Sequence, residues 1–262
     1  MLELRLFPGL PGGRRARLGP ITGAVEEGIA SDDPGGFALL LDQLLVGGEA
    51  TTVGPGRALD LAISDHDRIA TALYCWYYGS AVESTVRCRQ CGRDFDVAFD
   101  LSNRSDQALP HVPAGIEGPD ETGTFRLNNG TRFRLPTLRD QLATREFPTD
   151  QARRELLLRC TDAAPASDQE FDAVEHAMET VGPLIAGTIA ADCPHCHFHE
   201  DTMRFSIQQY LLDALAFERR FLPAEVHCVA RTYGWSRREI MAMPTSERRQ
   251  HVRMILADTP SR

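Results

Sequence analysis

The sequence predicts an α+β fold, and three observations carry that prediction. Two Cys-x-x-Cys pairs, Cys88-Arg89-Gln90-Cys91 and Cys193-Pro194-His195-Cys196, sit beside residues that alternate like β-strands. The 101 residues between Cys91 and Cys193 carry hairpin and helix signals of their own. From about residue 206 onward apolar residues recur at helical spacing, punctuated by Gly234 and Pro244.

Residues 1–56 are expected to form an N-terminal helical segment. After the punctuation of Pro8-Gly9-Leu10-Pro11-Gly12-Gly13, Thr22 is placed to cap a helix through about Ala30. A second helical stretch, Phe37 to Val46, follows the break at Pro34-Gly35-Gly36. Ser64-Asp65-His66-Asp67 resembles a capping box, opening a helix with Ile69, Leu73, Trp76 and Tyr77 on one stripe, and His66 is expected at the surface. Residues 57–205 form the centre, with an α/β insertion at about 101–181. Within it, residues 101–121 read as a polar loop. Phe125-Arg126-Leu127 and Arg132-Phe133-Arg134-Leu135 then flank Asn128-Asn129-Gly130-Thr131, a hairpin signal. Thr137 with Asp140, Thr149, and Ser167 with Glu170 mark three helix starts. Residues 206–262 form a helical C-terminal region: Ile207, Tyr210, Leu211 and Ala214 share a face, Pro223 opens a helix that Gly234 stops, Ser236 caps the next, and Thr245 opens the last.

Seven cysteines are an odd number for a disulfide framework. Two thiolates two residues apart close a tight turn around one metal, and Gly92 can supply the left-handed turn that such a knuckle needs. Phe95, Val97 and Phe99 alternate with Asp94, Asp96 and Asp100, and Ala81 to Arg87 is rich in β-branched residues. Each knuckle is therefore expected at a hairpin tip. Two tips sharing one structural Zn²⁺ through Cys88, Cys91, Cys193 and Cys196 would make a zinc ribbon, split because a compact ribbon separates its knuckles by only about 15–20 residues. His195, His197 and His199 are expected on one exposed strand face, since four thiolates already close a tetrahedral site. Cys75, Cys160 and Cys228 lie in helical patterns and read as small buried apolar residues.

Composition narrows the function classes. All 28 basic residues are arginine, so a P-loop lysine and Schiff-base chemistry are excluded. Neither GxSxG nor HExxH occurs. The expectation is a non-enzymatic protein. The longest stretch without charge, Val181 to Ala191, is too short to span a membrane, and Met1-Leu2-Glu3-Leu4-Arg5 lacks a signal-peptide pattern. A cytoplasmic location follows. The formal charge is -9, yet residues 204–262 carry 10 arginines against 6 acids. A zinc-ribbon nucleic-acid-binding regulator is therefore the alternative. Arg219-Arg220, Arg237-Arg238 and Arg248-Arg249 are spread among glutamates, however, as on solvated helix faces or a surface for an acidic partner. A metal-dependent hydrolase would need an open metal position, which four thiolates do not leave.

One family resemblance emerges from the motifs together. Leu222-Pro223-Ala224-Glu225-Val226-His227, Tyr233-Gly234-Trp235-Ser236-Arg237-Arg238-Glu239-Ile240, then Pro244 and Arg248-Arg249, stand beside two distant knuckles. Arg134-Leu135-Pro136-Thr137 with Asp140-Gln141-Leu142, and Leu156-Leu157-Leu158-Arg159-Cys160, lie between them. This combination resembles the T-even phage baseplate (hub assembly) proteins and their relatives in phage-like contractile injection systems. Leu18 to Glu27 is similar to a tail-assembly "LTG-x-[DE]-E" start, departing from it at Ala24 and Val25. The resemblance implies an assembly factor or component of a baseplate hub. Its partners would be hub, spike or tape-measure proteins, and it would act in the cytoplasm or within an assembled tail.

Overall fold

The computed structural model describes residues 1–29, 34–48 and 52–258, which form a mixed α+β arrangement of small antiparallel sheets and helices. The chain opens with a hairpin, β1 (Leu2–Leu10) and β2 (Gly13–Leu18), where the sequence predicts a helical segment. The correction has a plain cause. Leu2, Leu4 and Leu6 alternate with Glu3 and Arg5, and Ala16 and Leu18 alternate with Arg15 and Arg17, a period of two. Gly12, at φ +75°, turns between them.

Thr22 caps α1 (Gly23–Glu27) as expected, although the helix is shorter than predicted and Ala30 lies outside the described residues. Pro34-Gly35-Gly36, expected as a break, instead opens α2 (Pro34–Leu44), because proline is pre-set for the first helical position. A 3-10 turn at Ala58–Asp60 leads into α3 (Ile63–Tyr78). On α3, Ile69, Ala70 and Leu73 are fully buried, whereas Trp76 leaves the predicted stripe and is 44% exposed.

The hairpin β3 (Ala81–Arg87) and β4 (Asp94–Asp100) pairs Ala81 with Asp100 through to Arg87 with Asp94. Part of the expected polar loop is helical, α4 (Leu101–Gln107), begun by the Asp100 carboxylate, which accepts from the Ser102 amide at 2.7 Å. A three-stranded sheet follows, with β5 (Ile116–Glu117), β6 (Thr124–Leu127) and β7 (Arg132–Arg134). Then come α5 (Leu138–Thr144), α6 (Thr149–Cys160) and α7 (Asp168–Val181). Thr137 and Asp140 form a reciprocal capping box on α5. A second hairpin, β8 (Gly187–Asp192) and β9 (His199–Phe205), precedes α8 (Ile207–Arg219), α9 (Leu222–Tyr233), α10 (Arg237–Ala242) and α11 (Thr245–Asp258). Gly234 ends α9 in the left-handed conformation, and Ser236 with Glu239 caps α10.

The main core draws on β1, α2, α3 and α8 through Leu6, Phe37, Leu41, Leu73 and Leu211. The insertion has its own core, in which Phe125 stacks on Phe133 at 5.4 Å beside Leu157, Val174 and Val181. Among the described residues, no helix is long and apolar enough to cross a membrane.

Buried polar groups stitch these layers together. Ser64 does not cap α3. The helix starts at Ile63, two residues before the start that a Ser64 cap would give, and its acids reach outward to other segments. The Asp65 carboxylate accepts from the Phe7 amide at 2.7 Å and the Gly9 amide at 2.9 Å, anchoring β1. Asp67 accepts from the amides of Ile185 and Ala186 and from Gln208, tying the approach to β8 and helix α8 to α3. His66, expected at the surface, is fully buried between the Phe37 ring and the Ala58 carbonyl, to which its Nε2 donates at 2.8 Å. Helix α1 meets the C-terminal helices as well. Arg248 is fully buried against Glu26 and holds Glu225 at 2.8 Å, while Arg249 reaches Glu218 at 2.8 Å. Thr245 donates to the Ile21 carbonyl through its amide and its hydroxyl. Arg248-Arg249 is therefore not a solvated face: enclosed carboxylates draw both guanidinium groups inward.

Candidate metal centre

The two knuckles repeat one backbone design. In the first, the Cys88 amide donates to the Arg93 carbonyl and the Gly92 amide donates to the Cys88 carbonyl, both at 2.9 Å. In the second, the Cys193 amide donates to Phe198 and the His197 amide to Cys193, again at 2.9 Å. The residue after each second cysteine lies in the left-handed region, Gly92 at φ +69° and His197 at φ +59°. His197 is the one non-glycine residue with positive φ among those described, and the knuckle's need for that turn explains it.

The hairpins bring the tips together by burying Phe95 and Val97 beside Val86, Ile189, Ala191 and Met203. Farther from the tips, Phe99 meets Phe205 edge-on at 4.9 Å. At the tips, Cys88 Sγ lies 3.6 Å from Cys196 Sγ, and Cys91 Sγ lies 3.8 Å from Cys193 Sγ. All four sulfurs fall within 4.8 Å of one another. A tetrahedral ion with bonds of about 2.3 Å to sulfur requires sulfur–sulfur edges of about 3.8 Å. The four cysteines can thus hold a metal ion without moving far. Among the described residues, they are the one group of three or more metal-ligating side chains close enough to share an ion.

Electrostatics favour a cation at this point. The Cys91 amide, aimed at Cys88 Sγ from 3.5 Å, lowers that thiol to about 7. Cys196 moves the other way: the Phe198 amide acts to lower it, but burial and the neighbouring sulfurs push it up to about 12. Four thiols this close cannot all ionise beside one another without a positive charge among them. Arg89 adds a cross-link between hairpins, its Nε 3.6 Å from the buried carboxylate of Glu200. Glu200 is held ionised chiefly by the Thr202 hydroxyl.

The histidines do not share the strand face expected of them. His195 lies in the knuckle turn with Nε2 3.3 Å from the Asp94 carbonyl, His197 occupies the left-handed position, and only His199 is in β9, paired to Asp192 at 2.7 Å. Cys75, Cys160 and Cys228 are all helical; Cys160 is buried, and burial pushes its thiol up to about 12, while the other two are partly exposed. A buried contact elsewhere in the fold, the Glu26–Arg248 pair, was hidden in the sequence because its partners lie 222 residues apart. No protein-family model matches the chain, nor does any curated protein or solved structure.

Proposed function

We propose that the chain is a non-enzymatic assembly factor or component of the baseplate hub of a contractile tail or phage-like contractile injection system, built around a split zinc ribbon. Zinc is the ion of choice for four thiolates in a closed tetrahedral arrangement, having no geometric preference of its own to oppose the site. The observation that carries the assembly reading is the meeting of the two motif ends. Thr22, Gly23 and Glu26 pack against Met241, Pro244, Thr245 and Arg248, so two of the segments that carry the resemblance meet in one unit. Motifs scattered through a sequence gain weight when they share a single structural purpose. The nucleic-acid alternative loses ground here, since Arg248 and Arg249 are spent on carboxylates and Arg237 is held by Glu27 at 2.5 Å.

The test has two arms. Purified protein is expected to contain about one zinc per chain, and its absence from folded protein would remove the ribbon. Deleting the gene from a host that makes contractile particles is expected to leave tubes and sheaths without functional baseplates. Normal assembly and firing in the deletion strain would overturn the role.

A further inference from the structure

The insertion leaves an open groove where it meets the start of α3. Leu135, Leu156, Leu157, Met178 and Leu184 supply an apolar lining around a space of about 400 Å³, inside the range of about 300–1,000 Å³ typical of ligand pockets. None of its lining residues belongs to the metal centre or to helices α8–α11. Three features set it apart from an ordinary surface crevice. Leu184 is 48% exposed at its mouth, in a segment between α7 and β8 that Asp67 holds down through the Ile185 and Ala186 amides. Ser64 lines the groove with only 3% of its surface exposed, and its hydroxyl has no hydrogen-bond partner. A serine in a helix ordinarily turns to solvent or to a carbonyl of the previous turn; this hydroxyl does neither and stays enclosed in the groove wall.

The rim has a definite sign. Arg153 is engaged by Glu175 and lies 3.5 Å from Asp172, so its charge is already answered. Glu179 is exposed on the same lip and makes no ion pair among the described residues. We propose that this groove docks a short amphipathic segment of a partner protein, whose leucine-sized side chains fill the apolar floor and whose flanking arginine or lysine pairs with Glu179. The proposal goes beyond the baseplate reading and stands without it, since it follows from the chemistry of the groove alone.

The full-length, metal-loaded chain can be titrated against two fluorescent helical peptides of about three turns. Both carry leucines at i and i+4; one is flanked by arginines and the other by glutamates. The basic peptide is expected to bind about three- to fivefold more tightly, the effect of one exposed charge pair. Glu179→Arg should reverse that order, and because the residue is exposed the fold should survive. Leu184→Ala should weaken both peptides by about tenfold, and Ser64→Ala, at a hydroxyl enclosed in the wall, should leave both affinities unchanged. Equal binding of the two peptides, or an unchanged order in Glu179→Arg, would overturn the proposal. So would binding of the apolar dye anilinonaphthalene sulfonate in the groove when neither peptide binds, which would mark a small-molecule site.

Discussion

His66 shows how much one side chain can be asked to do. Burial lowers its pKa to about 4, against weaker upward pulls from the Ala58 carbonyl and Asp42. The folded chain therefore holds His66 neutral where the unfolded chain would protonate it. Its contribution is complete above about pH 6.5 and is lost as pH falls toward 4, on the order of 3 kcal/mol across that window. Asp65 and Asp67 act with the opposite sign, because burial raises both and the folded state holds their protons longer. The His66 share is best isolated as the difference between wild type and His66→Gln, whose amide can still reach Ala58. Urea midpoints measured from pH 4 to 7 should converge for the two proteins at low pH; a constant gap would disprove the assignment. Arg248 presents the complementary case, a charge that must stay. Arg248→Met would strand Glu26, itself 1% exposed, and should cost about 3–5 kcal/mol in chemical denaturation. Adding Glu26→Leu should recover much of that loss, since an apolar pair removes the orphaned charge.

At the scale of elements, the hairpin tips and the insertion hold separate cores, and chelation should reveal the division. Stripping the metal is expected to raise amide exchange throughout β3, β4, β8 and β9, while Phe125, Phe133 and Val174 stay protected in the insertion core. Uniform loss of protection would mean that the two cores unfold as one. The same division explains what the sequence made legible. Cysteine spacing, period-two alternation and capping chemistry are local, so the knuckles, β3–β4, β6–β7, α5 and α8–α11 could be read directly. What escaped was long-range or disguised. The β1–β2 hairpin hid its alternation behind Pro8, Pro11 and four nearby glycines. Ser64-Asp65-His66-Asp67 had the letters of a cap, but its acids serve amides more than 50 residues away. Nothing local distinguishes a carboxylate that caps its own helix from one that anchors a distant strand.

For the molecule as a whole, the arginine-rich C-terminal helices divide into structural and available charges. Arg219, Arg237, Arg248 and Arg249 are occupied within the chain, Arg219 by the Ile29 carbonyl and the others by glutamates. Arg238 is exposed on α10 beside them. Arginine pairs bidentately with carboxylates, so Arg238 is the better probe of whether the C-terminal helices offer the surface for an acidic partner that the sequence allows. Arg238→Glu should weaken capture of such partners by severalfold while leaving metal content and unfolding midpoints unchanged; Arg237→Glu should also loosen α1 from α10 through Glu27. If Arg238→Glu binds partners as wild type does, the C-terminal helices are not the docking face.

The distance along the chain between the knuckles sets a clock. Ribosomes add about 5–20 residues per second, so Cys88 and Cys91 emerge several seconds to about 20 s before Cys193 and Cys196 can join them. Throughout that interval the first pair would be half of a coordination sphere, open to any soft ion nearby. The insertion, with an apolar core of its own, can fold in the meantime and carry the late hairpin toward the waiting one. A four-sulfur site would thus mark synthesis past the second knuckle, and chains truncated before residue 193 should be recognisable in the cell as metal-poor.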